Sequence, residues 1–410
     1  MRGGRIANVF SGEVYPADVL ILDDEIVSVG ESYDQAQETI DCTGLTIVPG
    51  LIDGHLHIES TLLHPARFAD LVVGHGTTSV VCDPHELANI LGEPGLEFML
   101  KATTGLPVDV FFMLPSCVPS TRLETNGAEL PLSSLAKFMA EPRVLGLGEF
   151  MDFPSIMSGG QLALKKVELA LRARKRVDGH APGLRGGGLM AYATAGVGSD
   201  HECTTREDAR EKLRAGLYLM IREGTSARNL GSLLPLVNAA NSRRVMLVSD
   251  DIQANHLIHD GHLDALLRRA VANGLDSMSA VQMVTINVAE YFGLGRRGAI
   301  APGYLADLVV VDDLERFQVR VVVKSGKKVF ANGRPLAKSK PCLDRRALKT
   351  MNLAKLSAQS LALPARGGMV RVIRIVPNQI VTSAWETAPK VEHGMVVADL
   401  ERDILKLAVI

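Results

Sequence analysis

The chain has 410 residues, a formal net charge of -2 and 47% hydrophobic residues. That length allows two or three domains, or one large barrel with an addition. The near-neutral charge excludes a global bias toward nucleic acid or a membrane surface. Aromatic residues make up only 4% and glycines number 38, a mix that suits closely packed α/β layers better than an aromatic-rich β sandwich.

The chain opens with β character. Arg5–Phe10, Ala17–Leu22 and Glu25–Val29 read as short strands divided by Ser-Gly and Asp-Asp turns. Met1-Arg-Gly-Gly4 leads into no apolar h-region, so it does not read as a signal peptide. From Thr46 onward, apolar β-type runs alternate with helix-length stretches. The runs are Thr46–Ile52, Thr78–Cys82, Asp109–Leu114, Val144–Leu147, Arg176–Asp178, Gly196–Gly198, Leu217–Ile221 and Arg244–Val248. Amphipathic segments lie between them, among them Pro65–Val73, Leu162–Arg174, Ser226–Ala239 and Leu263–Asn273. Strands joined by helical crossovers imply a parallel sheet, and eight of them suit closure into a barrel, with a doubly wound sheet as the alternative. β character returns in Asp307–Val311, Phe317–Val323 and Lys327–Phe330, with a turn at Ser325-Gly326. The expected organisation is a (β/α)8 TIM-like barrel (46–299) inserted in a small β-sandwich domain made of 1–45 and 300–338. Residues 339–410 would begin a C-terminal α/β domain, with strands at Arg371–Val376, Gln379–Thr382 and Gly394–Ala398. The apolar, uncapped end Leu405–Ile410 suggests that a partner segment is missing.

Barrel enzymes carry their chemistry at the C-terminal ends of the strands. The first run is followed by His55 and His57, whose i, i+2 spacing on an extended segment aims both imidazoles to one side. The second is followed by Asp83, His85 and Glu86, the fourth by Glu149, the fifth by His180 and the sixth by His201 and Glu202. The seventh gives Arg222 and Glu223, and the eighth Asp250 and Asp251; only the third, ending Pro115–Pro119, offers nothing obvious. Four histidines and two carboxylates at one edge of a sheet point to a metal site. Imidazole with carboxylate suits Zn, Fe or Mn, and the absence of a thiolate argues against a structural zinc site. Six ligands exceed what one catalytic ion needs, so two ions sharing a carboxylate bridge is the better count.

Other motifs carry plainer readings. His64 and His75, beside the first helix, and His256, His259, His262 and His393 are expected to be solvated or capping, although His259 and His262 sit where a substrate could be touched. Gly183–Gly188 lacks the Gly-x-x-x-x-Gly-Lys-Ser/Thr pattern and reads as a flexible active-site loop. Residues 316–375 hold fifteen Lys or Arg against one acid, Asp344, without interleaved aromatics, so a solvated or docking face is expected there. Five scattered cysteines with no Cys-x-x-Cys pair read as a reduced, cytoplasmic protein, and no run approaches the length of a membrane span.

Pro49–Ser60, with Glu149, His180, His201 and Asp250, resembles the amidohydrolase superfamily. Within it, His57-Ile-Glu-Ser60, His75-Gly-Thr-Thr78, Asp83-Pro-His-Glu86, Gly179–Pro182, Ser199–Glu202 and Ser249–Asp251 resemble the bacterial adenine deaminases, and Gly298–Leu308 resembles the superfamily's return into its small β domain. The resemblance implies a cytoplasmic hydrolase of purine salvage that converts adenine and water to hypoxanthine and ammonia. It further implies a (β/α)8 barrel and a binuclear Mn or Fe centre, with Zn as a third choice. By position, His55, His57 and Asp250 would hold one ion, His180 and His201 the other, and Glu149 would bridge where many relatives use a carboxylated lysine. The cations would make water nucleophilic at neutral pH, and a nearby carboxylate would carry its proton to the leaving ammonia. Asp250 is the first choice for that shuttle; Glu86, Glu202 and Asp251 are rivals that could instead bind ring nitrogens. The implied partners are a small-molecule substrate and other copies of the chain, with no nucleic acid and no membrane. Members of the branch also continue beyond a length of 410 residues. The competing readings are a cyclic-amide or N-acyl hydrolase with the same centre, and a truncated, non-catalytic metal-binding chain.

Overall fold

The structure, a computed structural model, describes residues 1–30, 36–121 and 123–410. It divides into two compact units, Met1–Ala347 and Leu348–Ile410.

The first unit is built on a curled parallel sheet. Its strands are β1 (Leu51–Leu56), β2 (Thr77–Cys82), β3 (Asp109–Leu114), β4 (Val144–Phe150), β5 (Arg176–Gly179), β6 (Ser199–Asp200), β7 (Tyr218–Arg222) and β8 (Val245–Val248). β1 to β5 pair in sequence order, all parallel, and β6 to β8 do the same. Gly198 N–H donates to Val177 O at 2.9 Å between the two groups, and Asp250 N–H donates to His55 O at 3.0 Å between β8 and β1. β2 reads Thr-Thr-Ser-Val-Val-Cys and is buried along its whole length, as expected for a parallel strand covered on both faces. Ile52, Val81, Met113, Met220 and Met246 form one apolar cluster with Val288, Tyr291 and Phe292 of the helix Ile286–Phe292. A larger cluster joins the strands to the crossover helices, for example Val80, Phe112 and Leu147 with Phe68, Leu135 and Val167.

The expected first run is two strands. Thr46–Pro49 joins the small sheet, and β1 begins after Gly50, where a side chain would collide with Thr78 Oγ1. The small sheet has seven strands in the order Arg334–Pro335, Lys327–Ala331, Val319–Lys324, Leu308–Val311, Thr46–Pro49, Arg5–Asn8 and Glu13–Pro16. It therefore draws on both flanks of the parallel sheet. Asp18–Leu22 and Glu25–Gly30 form a separate hairpin; residues 31–35 of the expected first domain lie outside the described residues.

Three further expectations need correction. The sixth strand is Ser199–Asp200 rather than 196–198, because Gly196 takes a positive φ of 113° in the turn before it. The stretch 226–239 contains only Leu230–Leu233 and a 3-10 turn with Pro235, since proline and the preceding Asn229-Leu-Gly leave little helix. Gly186–Gly188 are not part of a loop but open the helix Gly186–Thr194. The second unit holds the hairpin Val370–Ile375 with Thr382–Thr387, a small pair Val391–Glu392 with Met395–Val396, and the 3-10 turn Ala358–Leu361. Among its described residues there is no α-helix, and Leu405–Ile410 is not a strand. No described helix of the chain is long and apolar enough to cross a membrane.

Candidate metal centre and active site

The six expected ligands converge where β1, β4, β5, β6 and β8 end. Glu149 lies at the middle. Its Oε1 is 3.3 Å from His57 Nε2, while its Oε2 is 2.5 Å from His180 Nδ1 and 3.3 Å from His201 Nε2. Asp250 Oδ1 is 3.4 Å from His57 Nε2 and 3.6 Å from His55 Nε2. The His55 and His201 rings stack with centroids 4.1 Å apart. His55, His57, Glu149, His201 and Asp250 are all less than 5% exposed.

Side chains behind the ring set its orientation. His57 Nδ1 lies 2.9 Å from Asp83 O; against a carbonyl that nitrogen must donate, so Nε2 is the nitrogen that faces Glu149 and Asp250. Gly148 makes room for this arrangement, because a Cβ there would collide with the Asp83 carboxylate. Arg222, itself 2% exposed, donates to Asp250 Oδ2 at 2.8 Å and grips both oxygens of Glu202. Asp53 Oδ1 accepts the N–H of His55 at 3.2 Å and of Ser249 at 3.3 Å, tying the ends of β1 and β8 together.

The electrostatics favour ionised carboxylates. Burial works against the charge on Glu149, but His85, His180 and His201 outweigh it and hold the group well below the usual carboxylate range. Asp250 is likewise held low by His55 and His57 against its burial. Glu86 and then Asp250 raise His57, and Glu149 and then Glu202 raise His201, despite their burial. At the rim, burial and then the neighbouring Glu86 push Glu59 up to about 8. Glu86 is drawn down to about 2 by His57 and His85, against the effect of burial.

The donor set fits divalent cations. His55, His57 and Glu149, His55, His201 and Asp250, and Glu149, His180 and His201 each present ligand atoms within 4.8 Å of one another. Among the described residues, His55 Nε2, both oxygens of Asp83, His85 Nδ1 and Glu86 Oε2 are buried without a hydrogen-bond partner. Unsatisfied polar atoms are rare in folded interiors, and their concentration here is what an ion site requires. Imidazole and carboxylate oxygen match borderline divalent metals.

Beside the ring opens a cavity of about 190 Å³ lined by His85, Glu86, Asn89, Cys117, Ser120, Glu124 and Met151. His85 Nδ1 is 3.2 Å from Glu149 Oε1, so this histidine stands between ring and cavity. Asp251 is exposed and accepts a hydrogen bond from Ser60 Oγ, which also lies 3.4 Å from Glu86 Oε1. Glu223 is not drawn in: its Oε2 accepts Leu230 N–H at 3.1 Å.

Several site residues escaped the sequence. The third strand does contribute, through Ser116, whose Oγ donates to Glu149 O at 2.6 Å, and through Cys117 at the cavity wall. His262 is not solvated but fully buried, with Nε2 3.1 Å from Asp53 Oδ2 and Nδ1 2.7 Å from Thr77 Oγ1. His75 pairs with Asp264 at 3.3 Å, and His64 caps the helix Pro65–Val72 as expected. The i, i-2 relation of Asp53 to His55 was the one available signal for the clamp.

Comparison with known proteins identifies the family. Residues 46–329 match the amidohydrolase family. The chain is 45% identical over 409 residues to adenine deaminase 2 of Carboxydothermus hydrogenoformans, covering 100% of this chain and 71% of that protein. It is 42% identical over 410 residues to an adenine deaminase of Kosmotoga olearia, with the same coverage. Among solved structures, a D-hydantoinase superposes with a TM-score of 0.63 at 17% identity, over 82% of this chain and 96% of that one. An atrazine chlorohydrolase from Arthrobacter aurescens, solved with zinc, gives 0.61 at 16% identity over the same shares. These two share the fold. The chain belongs to the amidohydrolase family, and its whole length aligns with that family's adenine deaminases.

Proposed function

We infer that this chain hydrolyses adenine to hypoxanthine and ammonia. The observation that carries the reading is the full-length identity to adenine deaminases, 45% and 42% in the two cases above. A ring of imidazoles and carboxylates beside a small cavity supports it.

Two divalent ions, Mn or Fe with Zn as a further choice, would be held by the ring: one by His55, His57 and Asp250, the other by His180 and His201. Glu149 would serve both, and its position, with one oxygen toward His57 and the other toward His180 and His201, supports the bridge. The ions would supply Lewis acidity that makes water nucleophilic at neutral pH. Asp250 is the proton carrier in this reading. Arg222 engages its Oδ2, while Oδ1, 3.4 Å from His57 Nε2, faces the ion site and would take a proton from the attacking water and return it to the nitrogen departing from C6. As the C6–O bond forms and C6–N breaks, the amino group leaves as ammonia. Glu202 suits this role less, because Arg222 occupies both its oxygens. Glu86 faces the cavity and suits contact with the purine ring, whereas Asp251 is exposed and does not line it.

We place the parallel strands in a closed (β/α)8 barrel (46–299), supported by the Gly198–Val177 and Asp250–His55 hydrogen bonds. Residues 1–45 and 300–338 would form one small domain, as their shared sheet supports, and 339–410 a further one. A cytoplasmic homo-oligomer is the matching cellular form.

The test is turnover of adenine and of hydantoin by the Mn-loaded chain. Hypoxanthine and ammonia in equal amounts, lost in Asp250→Asn, are expected; turnover of hydantoin without adenine would overturn the reading.

A further inference from the structure

The loops after β5 and β6 meet around one buried carboxylate. Asp200 Oδ2 accepts the N–H of Ala181, the residue after His180, at 2.9 Å. Its Oδ1 accepts the N–H of Glu202, the residue after His201, at 2.8 Å. Lys212, on the helix Arg206–Arg214, reaches this point from the outer layer: Nζ donates to Asp200 Oδ1 at 2.8 Å and to Ala181 O at 2.7 Å. The two side chains are 0% and 1% exposed. One ammonium and one carboxylate thus hold the chain immediately after both histidines. Thr205 caps the same helix by accepting Asp208 N–H at 3.3 Å, which fixes the base from which Lys212 extends.

A buried ion pair is a poor way to gain stability, since desolvation offsets most of the attraction and an apolar pair of similar volume often does as well. Its value lies in direction: it holds particular atoms in particular places. We propose that Asp200 and Lys212 are positioning residues for the His180/His201 half of the centre, setting the two loops so that both imidazoles address one cation, without touching that cation or the substrate. The inference rests on the binuclear reading above. The other half has a separate clamp in Asp53, which ties His55 to Ser249. Loss of Lys212 should therefore act on one ion and not on both.

The test is titration of the metal-free full chain with Mn2+, followed by calorimetry and by counting bound ions, alongside adenine kinetics. Wild type should bind two ions. Lys212→Met should keep the first and bind the second about 10- to 100-fold more weakly, the usual cost of losing a partner behind a ligand. Its kcat should fall while KM for adenine changes little. Lys212→Arg, which can still reach both oxygens, should recover much of the second site. Arg206→Gln is the control: on the same helix, Arg206 donates to Ser232 O at 3.2 Å rather than to either loop, so both ions should bind as in wild type. Should Lys212→Met fail to fold, Asp200→Asn is read in the same way. Two ions bound normally by the variant, equal weakening of both ions, or no recovery with arginine would overturn the proposal. A wild-type chain that takes up fewer than two ions would instead overturn the binuclear reading beneath it.

Discussion

The two ends of the parallel sheet both concentrate charge, and they do so in opposite ways. At the end where β3 begins, Lys324 donates to Asp109 at 2.6 Å and to Asp307 at 2.7 Å, while Arg297 donates to Asp109 at 2.6 Å and stacks on Phe111. Two cations meet two carboxylates, and Ser325 N–H supplies Asp307 with a further bond at 2.8 Å. Arg297 Nε, Ser79 Oγ opposite Asp109 and Asn287 Oδ1 beside the start of β8 are left there as scattered buried atoms without a partner among the described residues. At the opposite end, acceptors and imidazoles outnumber what they can satisfy in one another, and the orphaned atoms of His55, Asp83, His85 and Glu86 lie in or beside the ring. Charge density therefore does not mark the candidate site; a cluster of unsatisfied imidazole and carboxylate atoms does. In barrel enzymes the C-terminal end of the strands serves chemistry and the other end stability.

The sharpest way to break this contrast is Glu149→Gln. The carboxylate reaches both halves of the ring. The amide offers one acceptor and brings an unwanted donor among imidazoles, so both ions and adenine turnover should be lost together. Metal counting and ammonia release check this, and a variant with two ions and normal turnover would refute the central place given to Glu149. At the other end Lys324→Met should have the reverse profile. Lys324 and Asp307 are 6% and 5% exposed, so breaking the pair leaves a buried carboxylate. A loss of about 3 kcal/mol of stability is expected, toward the low end for such pairs because Arg297 stays nearby. The kcat of the folded protein at 25 °C should be unchanged; a fall in kcat without a fall in Tm would erase the distinction between the two ends.

The convergence of the candidate ligands was legible in the sequence because it follows from local rules. Apolar runs locate strand ends, and polar residues immediately after them must gather at one edge. His55, His57, Glu149, His180, His201 and Asp250 were found in that way. What lay behind the ring was not legible, because its partners come from far along the chain. His262 meets Asp53 and Thr77 across roughly two hundred residues, by way of the loop after β8. Lys212 meets Ala181 from a crossover helix. No periodicity announces such pairs; each depends on how a helix packs on the sheet. The division at Gly50 was hidden for a related reason: an unbroken apolar run reads as one strand, and only the collision a side chain would make with Thr78 shows why the chain must pass there as glycine.

His262→Gln sharpens the comparison from the middle, because this buried residue both fills the fold and braces Asp53. A glutamine is unable to reach Asp53, Thr77 and Ser249 at once. Leaving one of these buried groups unpaired should cost about 1–3 kcal/mol in unfolding. The freed Asp53 clamp should also weaken metal binding by about 10-fold, the smaller figure for a contact two steps from the ion. Denaturant unfolding of the metal-free protein and metal titration read the two effects separately. Stability lost with metal affinity intact would assign His262 to the scaffold alone.

The smallest expected effect is a dependence on pH at the stability end. Burial pushes Asp109 up, but Lys324 and then Arg297 outweigh it and hold the carboxyl below its ordinary value. A group whose pKa is lower folded than unfolded adds stability above the unfolded value, about 4 for an aspartate, and that stability is lost as pH falls through the folded value. Lys324→Met removes the leading cause of the shift. The stability gap between wild type and the variant should then be widest near neutral pH and close as the pH drops from about 5 toward 3. Melts of the metal-free proteins across that range isolate the effect from ion loss at the other end. A gap that stays constant with pH would mean that Lys324 contributes by packing its aliphatic stem rather than by its charge, and the balanced-charge account of this end would fail.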